Sequence, residues 1–331
     1  MKKTGHFIIS PLKRDPRGTL EQFYESSRYQ EMNPYIKAVR APFLAGSLVP
    51  VIIGTCLAFT EKYFSLHNFL LALVGVAAIH LAANLLNDYY DARGSDPINL
   101  RVTPFSGGSR VIQNGELKAA TVLGMSILFL ALALVSAVCL IRAGRSIVIP
   151  LGLLGLFAGW SYSAPPLQLM SRGWGETVIF FAFGPLVTLG AYYVNSGSLS
   201  LESFAIGFPH GFLITGVIWV NQFPDYQADK EVGKKNLVVR LGPEISRYLY
   251  CLIMILSFIS IIFLVGILKI HYLVMLAFIS FPLALRAMRI VWREYLSRDY
   301  MIPAQALTIQ TVIAQGLLLS LGLFLSRLTN G

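Results

Sequence analysis

Aspartate residues in this sequence are concentrated in two short clusters. Only seven Asp are present, and five of them lie in Asn84-Leu-Leu-Asn87-Asp88-Tyr-Tyr-Asp91-Ala-Arg-Gly-Ser-Asp96 and Asn221-Gln-Phe-Pro-Asp225-Tyr-Gln-Ala-Asp229-Lys230. Helical spacing would place Asn84, Asp88 and Asp91 on one face. The same reasoning places Asn221, Asp225 and Asp229 together on a second helix. We expect these two acidic faces to meet across a cavity.

The residue types in both clusters favour binding of a hard metal ion. Carboxylates one helical turn apart repel each other unless a cation joins them. Oxygen ligands without a Cys or His partner suit Mg²⁺, which commonly shares its coordination with phosphate oxygens and water. Because basic connections follow both clusters, the pattern predicts a site for a metal-bound diphosphate. The alternative is that these Asp simply end two helices at an interface and are neutralised by Arg93, Lys230 and Lys234.

The composition indicates that membrane helices carry these clusters. Of the 331 residues, 55% are hydrophobic and 13% are charged, and the mean hydropathy is +0.63. These values exclude a disordered chain, a disulfide scaffold and an ordinary soluble enzyme. The net charge of +10 comes from basic residues between apolar stretches. Such residues are typical of topology signals and of contacts with anionic membrane lipids, so no nucleic-acid partner is expected.

Nine stretches approach the roughly 20 apolar residues that a membrane-spanning helix needs. They are Pro42 to Phe59, Phe69 to Tyr90, Ala120 to Ile141, Ile147 to Ser163, Val178 to Val194, Phe204 to Phe223, Leu249 to Leu268, Tyr272 to Ala287 and Ala304 to Leu325. The runs are continuous instead of alternating, which indicates helices and not a barrel. The predicted fold class is all-α, a polytopic bundle of nine transmembrane helices.

The distribution of Lys and Arg predicts how this bundle is oriented. With nine spans, 22 of the 27 Lys and Arg fall on the side of the N-terminus, which the positive-inside rule assigns to the cytoplasm. Both acidic clusters then lie at cytoplasmic helix ends, and the C-terminus lies outside. Residues 1–40 form a cytoplasmic N-terminal segment, in which 19–40 are either an amphipathic surface helix or a loosely ordered tail. Residues 41–331 form the transmembrane domain.

The two clusters, taken together, resemble the motifs of the UbiA-type family of intramembrane prenyltransferases. That family carries NDxxDxxxD and DxxxD on its second and sixth of nine transmembrane helices, which are the positions occupied here. The stretch Gly233-Lys-Lys-Asn-Leu-Val-Val-Arg-Leu-Gly242 adds to the likeness. One departure concerns Asp96, which follows Asp91 by five residues instead of four. The likeness runs from about Tyr35 to the ninth span.

This resemblance implies Mg²⁺-dependent transfer of a polyprenyl group from its diphosphate to an aromatic ring carbon. It implies catalytic and metal-binding roles for Asp88, Asp91, Asp225 and Asp229. Further metal ligands are expected at Asp96, Asn84, Asn87 and Asn221. The expected substrate-binding residues are the basic side chains and one aromatic ring near these clusters: Arg110, Tyr162, Arg172, Lys230 and Lys234. A prokaryotic cytoplasmic membrane, bacterial or archaeal, is the expected location.

Three further stretches bear on the identity of the acceptor. The stretches Tyr35 to Phe43, Thr103 to Arg110 and Gly233 to Gly242 look most like the branch that prenylates 1,4-dihydroxy-2-naphthoate in menaquinone synthesis. Another quinone or chromanol precursor, or another aromatic or lipid acceptor, is the alternative. An ion-coupled transporter and a non-catalytic quinone-binding protein are the rival functions. His80 lies one turn before Asn84, where a buried histidine bonded to a neighbouring span is favoured over a contact with the acceptor.

Overall fold

The described part of the chain is helical throughout its regular structure. A computed structural model describes residues 32–93, 98–100 and 103–329, with the backbone alone at 41 and 42. Within these ranges the β-structure is limited to an isolated bridge between Thr103 and Ser106. The all-α prediction is therefore confirmed for the described residues.

Twelve α-helices follow one another along these ranges. Their bounds are α1 Pro34–Val39, α2 Ala45–Thr60, α3 Leu66–Asp91, α4 Ala119–Arg142, α5 Val148–Ser163, α6 Gly175–Phe181, α7 Val187–Ser196, α8 Leu201–Ala205, α9 Phe208–Glu231, α10 Leu237–Gly266, α11 Phe281–Glu294 and α12 Arg298–Thr329. Three 3₁₀ segments supplement them, at Ala41–Leu44, Leu169–Ser171 and Tyr272–Ser280. A π-helical turn, Ala182–Leu186, joins α6 to α7.

Seven helical stretches in the described ranges are long and apolar enough to cross a membrane. They are α3, α4, Gly175–Ser196, Leu201–Glu231, α10, Tyr272–Glu294 and α12. The two remaining expected spans coincide with α2 and α5, which are apolar helices of 16 residues each. The chain is therefore an integral membrane protein, and a count of nine crossings stays a prediction.

The N-terminal expectation lies almost wholly outside the described residues. Of the segment 19–40, which was expected to form a surface helix or a loose tail, the structure describes only residues 32–40. Residues Pro34–Val39 of that end form α1, in which Lys37 and Ala38 are buried. The compact unit of the fold starts at Pro34. The division at residue 40 stays a prediction.

Helix α9 is the central element of the bundle. In the stretch Leu201–Glu231, which contains α9, 78% of the most apolar 18-residue segment is buried, whereas only 22% of the corresponding segment of α4 is buried. It packs against α6, α10 and α12. Leu213 and Val220 of α9 share the largest apolar cluster with Tyr250 of α10 and Val312 of α12. The second acidic cluster is thus carried by the most enclosed helix of the described chain.

Small residues let several helices approach backbone to backbone. A Cβ atom added at Gly54 of α2 would lie 2.3 Å from the carbonyl oxygen of Thr188 in α7. One added at Gly184, in the π-helical turn, would lie 2.5 Å from the carbonyl oxygen of Gly207. Close approaches of this kind replace the hydrophobic driving force that lipid does not supply between membrane helices. They hold α2, α7 and α9 in a tight group.

The acidic clusters occupy the last turns of α3 and α9. Helix α3 starts at a Ser65 cap, whose hydroxyl accepts from the Asn68 N–H, and ends at Asp91. Helix α9 ends at Glu231, where Gly233 takes a left-handed φ of 76° and turns the chain towards α10. The side chain of Asn236 then caps α10. These turns bring the connection after α9 back over its own last carboxylates.

Candidate active site

A polar cavity of about 120 Å³ lies where the ends of α3 and α9 meet. Its wall includes Asn87 and Asp91 from α3 and Asn221, Asp225 and Asp229 from α9. The remaining lining residues come from the connections and neighbouring helices: Arg40, Asn99, Phe105, Ser106, Gly107, Gly108, Tyr162, Met170, Ile218, Gln222, Lys234 and Asn236. The two acidic clusters are therefore brought together, as their spacing predicts.

The first cluster is divided between two faces of α3. Asn87 and Asp91 line the polar cavity, and the Asn87 Oδ1 accepts from the Ser163 hydroxyl at 2.9 Å. Asp88 is buried and is not among the lining residues, because both its oxygens accept from the Ser109 N–H at 3.3 Å. Asn84 lies one turn lower and donates to the Val39 carbonyl at 3.4 Å. Asp96 lies outside the described residues.

The second cluster points into the cavity along its whole length. Asn221, Asp225 and Asp229 all line it, as their spacing of four residues requires. Asp225 accepts from the Asn99 amide at 2.7 Å. Asp229 is buried and accepts from the Asn236 amide at 2.8 Å. Neutral amide donors therefore hold both carboxylates in place.

Lys234 is the expected basic residue that lies inside this arrangement. Its ammonium group is 3.2 Å from the Asp91 Oδ1 and 3.4 Å from the Asp229 Oδ1, and its side chain is only 13% exposed. A buried cation between two carboxylates offsets their mutual repulsion. Lys234 thus joins the end of α3 to the end of α9.

The other expected basic residues lie outside the cavity lining. The exposed Arg172 donates to the Pro166 carbonyl at 2.7 Å, and Lys230, also exposed, has its ammonium 5.7 Å from the centre of the Tyr226 ring. Arg110 has a left-handed φ of 65° and donates to the Asn99 carbonyl at 3.5 Å. Arg110 therefore supports the segment that carries Asn99, while substrate contacts for all three stay predictions.

An apolar chamber of about 290 Å³ continues from the polar cavity. Arg40, Asn87, Tyr162, Ile218 and Asn221 line both spaces. The chamber wall comes from α2 to α7 and α9, and much of it consists of small or aliphatic side chains. One end of the combined space therefore suits charge, and the other suits hydrocarbon. Tyr162, an expected substrate contact, lies at their boundary.

The donor chemistry of the polar cavity fits a hard divalent cation. Within the described ranges, Asn221 Oδ1 and Gln222 Oε1 are buried and have no hydrogen-bond partner, and both residues line the cavity. Three carboxylates and two unpaired amide oxygens form the kind of oxygen set that Mg²⁺ prefers. Among the described residues, no three His, Cys, Asp or Glu side chains are grouped closely enough to hold an ion. A Mg²⁺ site that is completed by phosphate oxygens and water needs only one or two carboxylates.

Four site residues are missing from the sequence interpretation: Arg40, Asn99, Gln222 and Asn236. A signal existed for Asn236, because Asn before the apolar run Leu-Val-Val is typical of a helix N-cap. Arg40 has a left-handed φ of 52°, and its guanidinium donates to the Phe105 carbonyl at 3.3 Å. Asn99 contacts Asp225 although 126 positions of sequence separate the two residues. Sequence spacing does not reveal contacts of that type.

The cavity, the chamber and the helical bundle define a membrane protein with one amphipathic site at a helix-end face. The profile of the UbiA prenyltransferase family matches residues 47–308. The chain belongs to the UbiA prenyltransferase family, and it is a membrane-embedded transferase.

Individual relatives agree with this assignment. The chain is 30% identical to the 1,4-dihydroxy-2-naphthoate octaprenyltransferase of Escherichia coli, over 88% of this chain and 96% of that protein. It is 26% identical to the Bacillus subtilis protein of the same name, over 86% of this chain and 89% of that protein. Among solved structures, a UbiA homologue from Aeropyrum pernix gives a TM-score of 0.65 at 15% identity, over 82% of this chain and 95% of that one. A UbiA homologue from Archaeoglobus fulgidus bound to GPP and Mg²⁺ gives a TM-score of 0.57 at 19% identity, over 87% of this chain and 99% of that one.

Proposed function

We propose that this protein transfers a polyprenyl group from polyprenyl diphosphate to an aromatic quinone precursor in a Mg²⁺-dependent reaction. One observation carries the proposal: the carboxylate-lined cavity continues directly into an apolar chamber. A polyprenyl diphosphate has the same division, with a charged head and a hydrocarbon tail. Its reacting carbon joins the two parts and would therefore lie at the boundary formed by Asn87, Tyr162 and Asn221.

Asp91, Asp225 and Asp229, with the amide oxygens of Asn221 and Gln222, are the residues that would hold Mg²⁺. We retain Asp88, Asp96, Asn84 and Asn87 from the sequence prediction as further candidates. Bound Mg²⁺ would neutralise the diphosphate as its bond to the allylic carbon breaks. The protein's own contribution is to keep these oxygens fixed before substrate arrives, through the amides of Asn99 and Asn236.

Cationic side chains would bind the diphosphate directly. Lys234 lies partly buried in the cavity wall, and Arg40 lines both spaces. A fixed positive charge in a water-poor site stabilises a leaving group more strongly than it would in water. Tyr162 lies at the boundary, where a developing allylic cation would be attracted to its ring. Arg110, Arg172 and Lys230 remain predicted contacts for the diphosphate.

We propose 1,4-dihydroxy-2-naphthoate as the acceptor and menaquinone synthesis as the role. The names of the Escherichia coli and Bacillus subtilis relatives support this choice. An octaprenyl donor is suggested by those names as well. Another quinone or chromanol precursor is the alternative, and a panel of aromatic acids supplied with one labelled polyprenyl diphosphate distinguishes them.

The decisive experiment compares matched aspartate variants of the purified protein in lipid nanodiscs. Asp225→Asn should lower turnover about 100-fold or more, since several kcal/mol of transition-state stabilisation depend on the metal site. Asp299→Asn is the control, because that carboxylate is 73% exposed and pairs only with its neighbour Arg298 among the described residues. Chelation by EDTA should stop wild-type turnover, and added Mg²⁺ should restore it. Full activity of Asp225→Asn would overturn the proposal.

We further propose nine membrane crossings, with the acidic helix ends on the cytoplasmic side. Basic residues concentrate on that side by the sequence count, and the polar cavity lies at the same end of α3 and α9. A cysteine introduced at the exposed Lys118 should react with an impermeant maleimide from the cytoplasm, and one at the exposed Arg142 from the opposite side. Labelling of both from one side would contradict this topology.

A further inference from the structure

A polar pair lies inside the apolar chamber, away from the carboxylates. Ser47 of α2 and His80 of α3 both line the chamber, and the Ser47 hydroxyl is hydrogen-bonded to the His80 Nδ1. Both residues are buried, at 2% and 7% exposure. The sequence interpretation of His80 as a histidine bonded to a neighbouring span is confirmed. That bond, however, uses only one of its two ring nitrogens.

The imidazole ring is fixed in position by its surroundings. Phe183 contacts it edge to face, with ring centroids 5.1 Å apart and an interplanar angle of 89°. His210 of α9 bonds the Gly46 carbonyl at 2.7 Å and so anchors the backbone beside Ser47. Among the described residues, the hydrogen bond that the structure shows for this ring is made at Nδ1, which leaves Nε2 for a ligand. Nε2 is therefore a pre-oriented polar atom on a mostly apolar wall.

A hydrocarbon tail against this pair would leave it unsatisfied. Burying an unpaired polar atom against apolar groups costs free energy, so the pair is poorly suited to an isoprenoid tail. Depending on the tautomer, Nε2 either accepts from a hydroxyl or donates to a carbonyl or carboxylate oxygen. The ligand that matches is a molecule with polar groups on an apolar body.

The position along α3 also matches an aromatic acceptor. His80 precedes Asn87, at the boundary between the two spaces, by seven residues, which is a rise of roughly 10 Å along the helix. Asn84 lies between them and lines the same chamber. A fused aromatic bicycle can span most of that distance, with one edge near the boundary and an oxygen at His80.

From this geometry we propose that Ser47 and His80 form the acceptor subsite, in which the His80 Nε2 hydrogen-bonds a ring oxygen of a hydroxylated aromatic acid. This inference rests on the proposed prenyl transfer. His80 is a binding and positioning residue in this assignment, and Ser47 fixes the orientation of its ring. The subsite orients the acceptor, so that its nucleophilic carbon faces the reacting end of the donor.

The test separates the KM for the acceptor from the KM for the donor. With 1,4-dihydroxy-2-naphthoate as acceptor, His80→Leu should raise the acceptor KM about tenfold, as loss of one hydrogen bond near 1.4 kcal/mol requires. The donor KM should change less than about twofold. Glutamine can still form one hydrogen bond, so His80→Gln should recover part of the loss. An equal change in both KM values, or no change in either, would overturn the assignment.

Two serine variants form a matched pair. Ser47→Ala removes the hydroxyl that orients His80 and should also raise the acceptor KM. Ser126→Ala removes a hydroxyl that bonds the Ala82 carbonyl of α3 at 2.9 Å outside the chamber lining, so the acceptor KM should not change. If His80→Leu does not fold, the Ser47→Ala comparison decides. An acceptor KM that rises equally in both serine variants would indicate a structural effect on α3 and refute the subsite.

Equilibrium binding distinguishes failure of this inference from failure of the proposed function. Fluorescence titration of wild type and His80→Leu with the naphthoate measures the subsite without turnover. Weaker binding by the variant, in a protein that prenylates none of the tested acceptors, would support the subsite and refute the reaction. Prenylation by the wild type, together with identical binding by both proteins, would support the reaction and refute the subsite.

Discussion

Replacing Asn236 should alter stability and metal dependence by two separate routes. Its Oδ1 accepts from the Val239 N–H at 2.8 Å and caps α10, while its Nδ2 donates to the Asp229 Oδ2 at 2.8 Å. Losing an N-cap costs about 1 kcal/mol. Losing a hydrogen bond to a charged group costs about 1.5–3 kcal/mol. Asn236→Ala loses both interactions, so it should be destabilised and its Asp229 should be poorly positioned.

Asn236→Ser separates these two effects. Serine is as good an N-cap as asparagine, but its hydroxyl is shorter and should not span the gap to Asp229. Thermal unfolding in detergent should therefore place Asn236→Ser closer to wild type than Asn236→Ala. The Mg²⁺ concentration for half-maximal activity should rise about tenfold in both variants, as 1.4 kcal/mol implies. If serine restores the Mg²⁺ dependence, or alanine leaves it unchanged, Asn236 does not position Asp229.

Three further outcomes follow from other contacts. Gly184→Val should abolish stable folding, because its Cβ would lie 2.5 Å from the Gly207 carbonyl oxygen at the start of α9. Gly124→Ala is the control, because a Cβ added there meets open space and the variant should fold normally. Size-exclusion profiles in detergent distinguish the two outcomes. Lys234→Met should raise the donor KM about tenfold or more, because methionine removes the positive charge that pairs with Asp91. Lys234→Arg keeps a positive charge at this position and should retain most of the affinity. The 2.9 Å hydrogen bond from Lys37 lowers the pKa of Glu116, so this contact stabilises the fold above the ordinary Glu pKa and is lost as pH falls through the lowered value. Glu116→Gln should remove that part of the acid sensitivity and should lower the free energy of unfolding at neutral pH by on the order of 1 kcal/mol. Unfolding measured as a function of pH tests both expectations.

The helical parts of the molecule could be predicted because each is governed by local sequence. Apolar stretches identified the helices, and a spacing of four residues placed Asn221, Asp225 and Asp229 on one face of α9. The same reasoning was incomplete for α3. There the i, i+4 pairs Asn87 with Asp91 and Asn84 with Asp88 point in different directions, and only the first pair lines the polar cavity.

The contacts made by connections could not be predicted in this way. Asp88 turns from the cavity because the Ser109 N–H approaches it from a distant segment. Arg172 and Lys230 were expected near the site from their positions relative to the motifs, but position along the chain does not fix the direction of a side chain. Lys234 differs because Gly233 turns the chain back at once, which keeps it within reach of Asp229.

The shared wall at Asn87, Tyr162 and Asn221 has a consequence for how the reaction ends. In the proposed reaction, the donor would occupy both spaces before transfer and would be held by each. Afterwards, pyrophosphate would have affinity for the charged side and for water, whereas the prenylated ring compound would have affinity for the apolar side and for lipid. The two products would therefore leave in opposite directions, and their separation into different solvents would oppose the reverse reaction.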